Sequence, residues 1–279
     1  NTDIDVLDYS NEIAGVIVTY DGDESGTATG VSTGTDTFAQ IENIIFTDEE
    51  DSVRADADTV GVTLDTQAGD DFVEAGQGAD SLDGGDDTDE LSYQQSAAPV
   101  TLDVPAGTGT GGNAEGDTFA NFEVFNLSDG NDDITGSDND ETVLAQAGDD
   151  TVEGGGGADS LNGGDGIDTL SYANSADPVE VNPADGTANG GDATGDTFTN
   201  FENLEGSAGN DTLSGDDADN TISGGDGDDT IQAGDGNDSV DAGDGDDVVD
   251  GTPGDDVLDG GAGNDVYDAS DAAGPVSID

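Results

Sequence analysis

Set out in windows of nine, the stretch from Gly224 to Asp268 gives GGDGDDTIQ, AGDGNDSVD, AGDGDDVVD, GTPGDDVLD and GGAGNDVYD. Small and acidic residues fill the first six places. The last three, as in Thr230-Ile231-Gln232, alternate polar, apolar and polar, which predicts a very short strand with only its middle side chain turned inward. The beat extends upstream through GSAGNDTLS and GDDADNTIS, giving seven repeats whose eighth places are Leu213, Ile222, Ile231, Val240, Val249, Leu258 and Tyr267. Five more run from Leu127 to Ser171 and three from Thr66 to Ser92, the latter preceded by a degenerate region from Phe46 to Asp65. A three-residue strand cannot fold alone, but stacked copies bury a continuous line of aliphatic side chains. With two nonapeptides per coil, seven repeats make three and a half coils, about 17 Å at the usual strand spacing.

The predicted turns carry the chemistry. Glycine at places one, two and four allows positive φ and brings backbone carbonyls close to an ion, which a side chain would obstruct. Gly225, Gly227, Gly234, Gly236, Gly243, Gly245, Gly261 and Gly263 occupy the second and fourth of these places. Alternate repeats share an edge, so Asp229 is expected above Asp247 and Asp238 above Asp256. Carboxylates stacked in this way repel unless a cation lies between them. Calcium accepts six to eight oxygens, which two carboxylates and several carbonyls supply, whereas magnesium demands tighter octahedral geometry and retains water.

Composition narrows the choice. The 279 residues include 69 acids, one basic residue (Arg54), no histidine and no cysteine, for a formal charge of −68. Thiolate sites and a typical zinc centre are therefore excluded, and nucleic-acid binding lacks the cations it needs. No run reaches the roughly 20 apolar residues of a membrane span. Hydrophobic residues make up 31% of the chain and glycine 46 positions, so cations are expected to supply stability that an ordinary core does not.

The nonapeptides resemble the RTX, or hemolysin-type, calcium-binding repeat family, whose consensus is GGxGxDxUx with U a large apolar residue. Fifteen clear copies span nearly half of the chain. The resemblance implies an all-β fold, a parallel β-roll or β-helix-like solenoid with interspersed β-rich inserts, and multiple Ca2+ ions held between turns. Carried over by position, the sixth-place ligands would be Asp71, Asp80 and Asp89; then Asp132, Asp150, Asp159 and Asp168; then Asp211, Asp229, Asp238, Asp247, Asp256 and Asp265. Glu141 and Asn220 stand at the sixth place of two repeats and Pro253 interrupts one glycine-rich turn, so the resemblance is weakest at those three turns.

Between the blocks lies a second kind of repeat. LSYQQSAAPVTLDVPAGTGTGGNAEGDTFANFEVFNL (91–127) aligns with LSYANSADPVEVNPADGTANGGDATGDTFTNFENLEG (170–206), and more loosely with 7–46. PVTLDV and PVEVN predict a strand, the Gly/Thr/Asn stretch a loop, and DTFxNFE a return into the roll. The expected organisation is an insert over 1–46, roll over 47–92, insert over 93–126, roll over 127–171, insert over 172–205, roll over 206–268, and the start of a further insert strand over 269–279. Phe119, Phe122, Phe198, Phe201, Tyr93 and Tyr172 are expected as core plugs rather than a carbohydrate-stacking surface. Similar inserts alternate with RTX repeats in large bacterial and archaeal surface proteins.

Function follows more loosely. A surface this acidic and poor in lysine stays soluble at molar salt, where the Debye length falls to about 3 Å, and points to a halophile, with an archaeon the leading source. Calcium-dependent folding works where calcium is plentiful, so the expected location is extracellular or at the cell surface. Without histidine, lysine, cysteine or a Gly-x-Ser-x-Gly elbow, catalysis is not expected. The leading expectation is a non-enzymatic structural or adhesive rod, or a filament subunit that pairs with itself by terminal strand addition. The alternative is the calcium-binding export module of a larger secreted hydrolase. Asn126 is the expected glycosylation position among three Asn-x-Ser/Thr sequons.

Overall fold

The computed structural model describes residues 4–268, save 23, 31–33 and 56, together with Ser277–Ile278. It forms two compact units, Asn1–Ile134 with Leu144–Gln146, and Thr135–Val143 with Ala147–Asp279.

Nearly every nonapeptide makes a strand at places seven to nine, including Thr212–Ser214, Thr221–Ser223, Thr230–Gln232, Ser239–Asp241, Val248–Asp250 and Val257–Asp259. Successive strands go to opposite sheets. In the second unit, Thr230–Gln232 pairs in parallel with Thr212–Ser214 and Val248–Asp250, whereas Ser239–Asp241 pairs with Thr221–Ser223 and Val257–Asp259. Every partner within the roll is thus eighteen residues away, and two nonapeptides close one coil. The fold is the expected parallel β-roll.

Its core is the line of eighth-place residues. Leu213, Ile222, Ile231, Val240, Val249 and Leu258 are all buried, while the seventh-place neighbours, polar except for Val248 and Val257, face outward. Sequestering each such side chain stabilises the fold by about 1.5–3 kcal/mol. The degenerate region 46–65 joins the same construction in the first unit. Its strands Ser52–Arg54 and Thr63–Asp65 pair in parallel with Phe72–Glu74 and Ser81–Asp83, and Val53 and Leu64 are buried.

The inserts are spliced into the sheets. In the first unit Thr118–Ala120 continues the roll by parallel pairing with Ser81–Asp83, then pairs antiparallel with Thr108–Thr110, which pairs antiparallel with Thr101–Asp103. The second unit repeats this with Ser160–Asn162, Thr197–Thr199, Thr187–Asn189 and Glu180–Asn182. The Gly/Thr/Asn stretch therefore contains a strand and a 3-10 turn, Gly112–Ala114 or Gly191–Ala193, where a loop was expected. Gly109 makes this close packing feasible, since a methyl there would meet Ala114 Cβ at 2.9 Å. The six aromatic residues of the inserts are buried as expected, with Phe119 against Phe125 and Phe198 against Phe201. The strand expected from 269 onward lies outside the described residues except for Ser277–Ile278, which pairs with Val257–Leu258.

Candidate metal centre

The stacking of coils brings the sixth-place acids into columns. Asp229 Oδ1 accepts the backbone N–H of Asp211 at 2.8 Å, Asp247 Oδ1 that of Asp229 at 2.8 Å, and Asp265 Oδ1 that of Asp247 at 3.2 Å. On the other edge Asp238 Oδ1 accepts from Asn220 and Asp256 Oδ1 from Asp238. Asp89, Asp159 and Asp168 reach back in the same way to Asp71, Glu141 and Asp150. One oxygen of each carboxylate is thereby fixed.

The other oxygen faces inward. Oδ2 of Asp89, Asp159, Asp168, Asp229, Asp238, Asp247 and Asp256 is buried and has no hydrogen-bond partner. An orphaned buried carboxylate oxygen is costly unless a positive charge meets it. Burial accordingly raises the pKa of Asp229 and Asp159 to about 7, against the counter-effect of the N–H bond from the neighbouring coil and helped by adjacent carboxylates. Asp238 and Asp89 are raised to about 6 for the same first reason. Asp71 and Asp80 are likewise buried and raised to about 7 and about 6, again mainly by desolvation.

Glycine keeps the space before these oxygens open. A methyl at Gly224 would sit 2.4 Å from both Asp229 Oδ2 and the Ala242 carbonyl oxygen. At Gly243, with φ of 100°, it would sit 1.9 Å from the Gly225 carbonyl. Gly225, Gly227, Gly234, Gly236, Gly245, Gly261 and Gly263 likewise press on carbonyls of the preceding coil. Buried carboxylate oxygens that lack a donor, set beside backbone carbonyls, suit a hard cation taking many oxygen ligands, as calcium does. Among the described residues no three acids converge on one point, so carbonyls must complete any such site.

Not all sixth-place acids are alike. At Asp132 and Asp211 the second place of the turn is Ser128 or Ser207, and its N–H and hydroxyl satisfy the carboxylate from within the turn. Ser137 serves Glu141 in the same fashion. Asn220 fills its own turn, accepting from Asp216 N–H and donating to the Glu202 carbonyl at 2.7 Å. The turn interrupted by Pro253 stays intact. Where Asp244 and Ala262 donate N–H groups to the second-place carbonyl of the coil before, the proline has none, and the Thr252 hydroxyl donates to Gly234 O instead.

Three features escaped the sequence reading. The fifth place forms a second, exposed ladder of opposite sense, in which Asp228, Asp246 and Asn264 donate N–H groups to the side chains of Asn210, Asp228 and Asp246. The recurrence of Asp or Asn there was the available signal. Glu74 and Glu153, at ninth places where only the eighth residue was expected to turn inward, are buried, and hold the backbone N–H groups of Gln95 and Asn174. Within the inserts, Asp117 and Asp196 occupy the acid's position in the column, accepting from Asp80 and Asp159, while Tyr93 and Tyr172 donate their hydroxyls to the second oxygen at 2.9 Å. Asn126, the expected glycosylation position, is half-buried, with its amide donating to Glu90 and accepting from Gln146.

Residues 63–92, 135–170, 199–231, 223–253 and 241–271 match the family model described as the RTX calcium-binding nonapeptide repeat, four copies. No curated protein matches the chain.

Proposed function

Since this chain belongs to the RTX calcium-binding nonapeptide repeat family, whose repeats bind Ca2+ at multiple sites, we propose that it is a non-enzymatic, calcium-stiffened structural or adhesive protein. It works outside the cell, at the surface of a halophile or as a subunit of an extracellular filament. The observation that carries this reading is the column of buried aspartates whose second oxygens have no donor. At neutral pH such a column is ordered best when cations fill it, and so ties folding to an environment rich in calcium. The ions would be held by Asp71, Asp80, Asp89, Asp150, Asp159, Asp168, Asp229, Asp238, Asp247, Asp256 and Asp265 with carbonyls of the glycine turns. At Asp132 and Asp211 serine supplies what the ion supplies elsewhere. Every buried acid described above has a structural partner or a place in a column, which supports a scaffold rather than a catalyst.

Charge bears on the setting and a sheet edge on assembly. With a charge of −68 the chain repels itself unless salt or cations are present. The strand Val266–Asp268 ends its sheet among the described strands, with Val266 56% exposed, and offers an edge to a second copy. No helix among the described residues is long and apolar enough to cross a membrane.

Circular dichroism and electron microscopy at high salt, with calcium titrated against a chelator, test the proposal. Filaments appearing together with β-structure are expected. β-Structure unaltered by chelation would sink calcium-dependent folding, and isolated particles at every calcium level would remove the filament.

A further inference from the structure

The last consensus turn before each insert contains an orphan that no following nonapeptide can serve. Asp89 and Asp168 are fully buried, and Oδ2 of each has no partner. Eighteen residues further on, where the next coil should supply an aspartate, lies insert. The chain instead returns through a three-residue turn, Asn121-Phe122-Glu123 or Asn200-Phe201-Glu202.

This short turn reproduces the contacts of a consensus coil. In the roll, Asp229 N–H donates to Asp247, one coil on, and Asp229 Oδ2 faces the Ala242 carbonyl across the space left by Gly224. In the first unit, Asp89 N–H donates to Glu123 Oε2 at 3.0 Å, and a methyl at Gly84 would sit 2.0 Å from the Asn121 carbonyl oxygen and 2.8 Å from Asp89 Oδ2. The second unit repeats the arrangement independently. Asp168 N–H donates to Glu202 Oε2 at 2.9 Å, and a methyl at Gly163 would meet Asn200 O at 2.1 Å and Asp168 Oδ2 at 2.7 Å. Glutamate, one methylene longer than aspartate, spans the distance that the shortened turn leaves. Asn121 and Asn200 adopt positive φ of 57° and 60°, a conformation that asparagine tolerates better than most residues and that sets where their carbonyls point.

We propose that each DTFxNFE insert closes a further calcium site, formed by Asp89, Glu123 and the Asn121 carbonyl in one unit and by Asp168, Glu202 and the Asn200 carbonyl in the other. These sites lie outside the nonapeptide consensus, with glutamate in place of its aspartate. They would join insert to roll through the ion. A carboxylate pair and a carbonyl are all oxygen donors, a set that calcium, with its flexible geometry, accepts more readily than magnesium, which demands a near-ideal octahedron.

The inference rests on the reading of the repeats as calcium-holding, and the test separates the two. Bound Ca2+ is counted by equilibrium dialysis at high salt for the full chain and for the double variant Glu123→Gln, Glu202→Gln. Glutamine keeps an oxygen acceptor for the N–H groups of Asp89 and Asp168 but removes the charge. The expected result is two fewer ions per chain in the variant with the remainder unchanged. Equal numbers and affinities would overturn the insert sites alone, whereas a parent chain that binds no calcium would overturn both readings. Should the variant not fold, anomalous diffraction from crystals of the parent grown with calcium decides. A peak within about 2.3–2.6 Å of Asp89 Oδ2 and Asn121 O supports the sites, and its absence there while peaks occupy the roll refutes them.

Discussion

Asp229 illustrates how one residue is asked to do two incompatible things. Its Oδ1 caps the N–H of the coil before, while its Oδ2 is sealed away from water. The raised pKa follows from the second role and sets a pH dependence. An acid whose folded pKa is about 7, against 3.8 when exposed, binds protons more tightly folded than unfolded. Without calcium, that contribution to stability is therefore fully present below about pH 4 and is lost as pH rises through 7. Calcium competes with the proton. The expected outcome is that chelated protein gains β-structure between pH 7.5 and 5, while calcium affinity measured by calorimetry falls over the same interval. At the neighbouring glycines the demand is steric. Gly243→Ala forces a side chain into positive φ and against the Gly225 carbonyl, and should cost at least about 1–2 kcal/mol in thermal unfolding with calcium present. The sixth-place acids and their glycines were legible because each repeat states them again. The serine that satisfies Asp211 was not, because one hydroxyl at the second place looks like drift until its distance of 2.7 Å from the carboxylate is known.

At the scale of elements, the three-residue strands were readable to their ends because the period is nine and the apolar residue is always eighth. The inserts were harder. Alternation revealed Thr101–Asp103, but Thr108–Thr110 is Thr-Gly-Thr and carries no apolar signal, and it is a strand only because two neighbours pair with it. The degenerate region folds into coils because Val53 and Leu64 preserve the inward position where, of the glycines, Gly61 alone remains. The Tyr93–Asp117 pair has a different consequence. The phenol does for Asp117 what a cation is proposed to do for Asp229, so the insert should hold its shape without metal. Tyr93→Phe leaves a buried carboxylate oxygen without its donor, which costs about 1–3 kcal/mol. Limited proteolysis in chelator should then cut within 93–118 in the variant before it cuts there in the parent protein. Equal protection would show that the phenol is dispensable.

For the whole molecule, charge outweighs every local term in fresh water. Arg54, the single cation, lies over the Phe72 ring at 5.2 Å and relieves almost none of it. Calcium-free chain at low ionic strength should have a radius of gyration of about 60 Å, the value for an unfolded chain of this length. Molar salt, which shortens the Debye length to about 3 Å, should contract it even without calcium. X-ray scattering across a salt series measures this, and a radius independent of salt would show that repulsion is not the opposing force.

The eighteen-residue separation of partner strands also constrains how such a gene can change length. Loss or duplication of one nonapeptide sends every later strand to the opposite sheet and every later turn to the opposite edge. Loss or duplication of two restores the register. Recombination between repeats should therefore survive selection in even steps, and length variants that persist in a population should differ by whole coils.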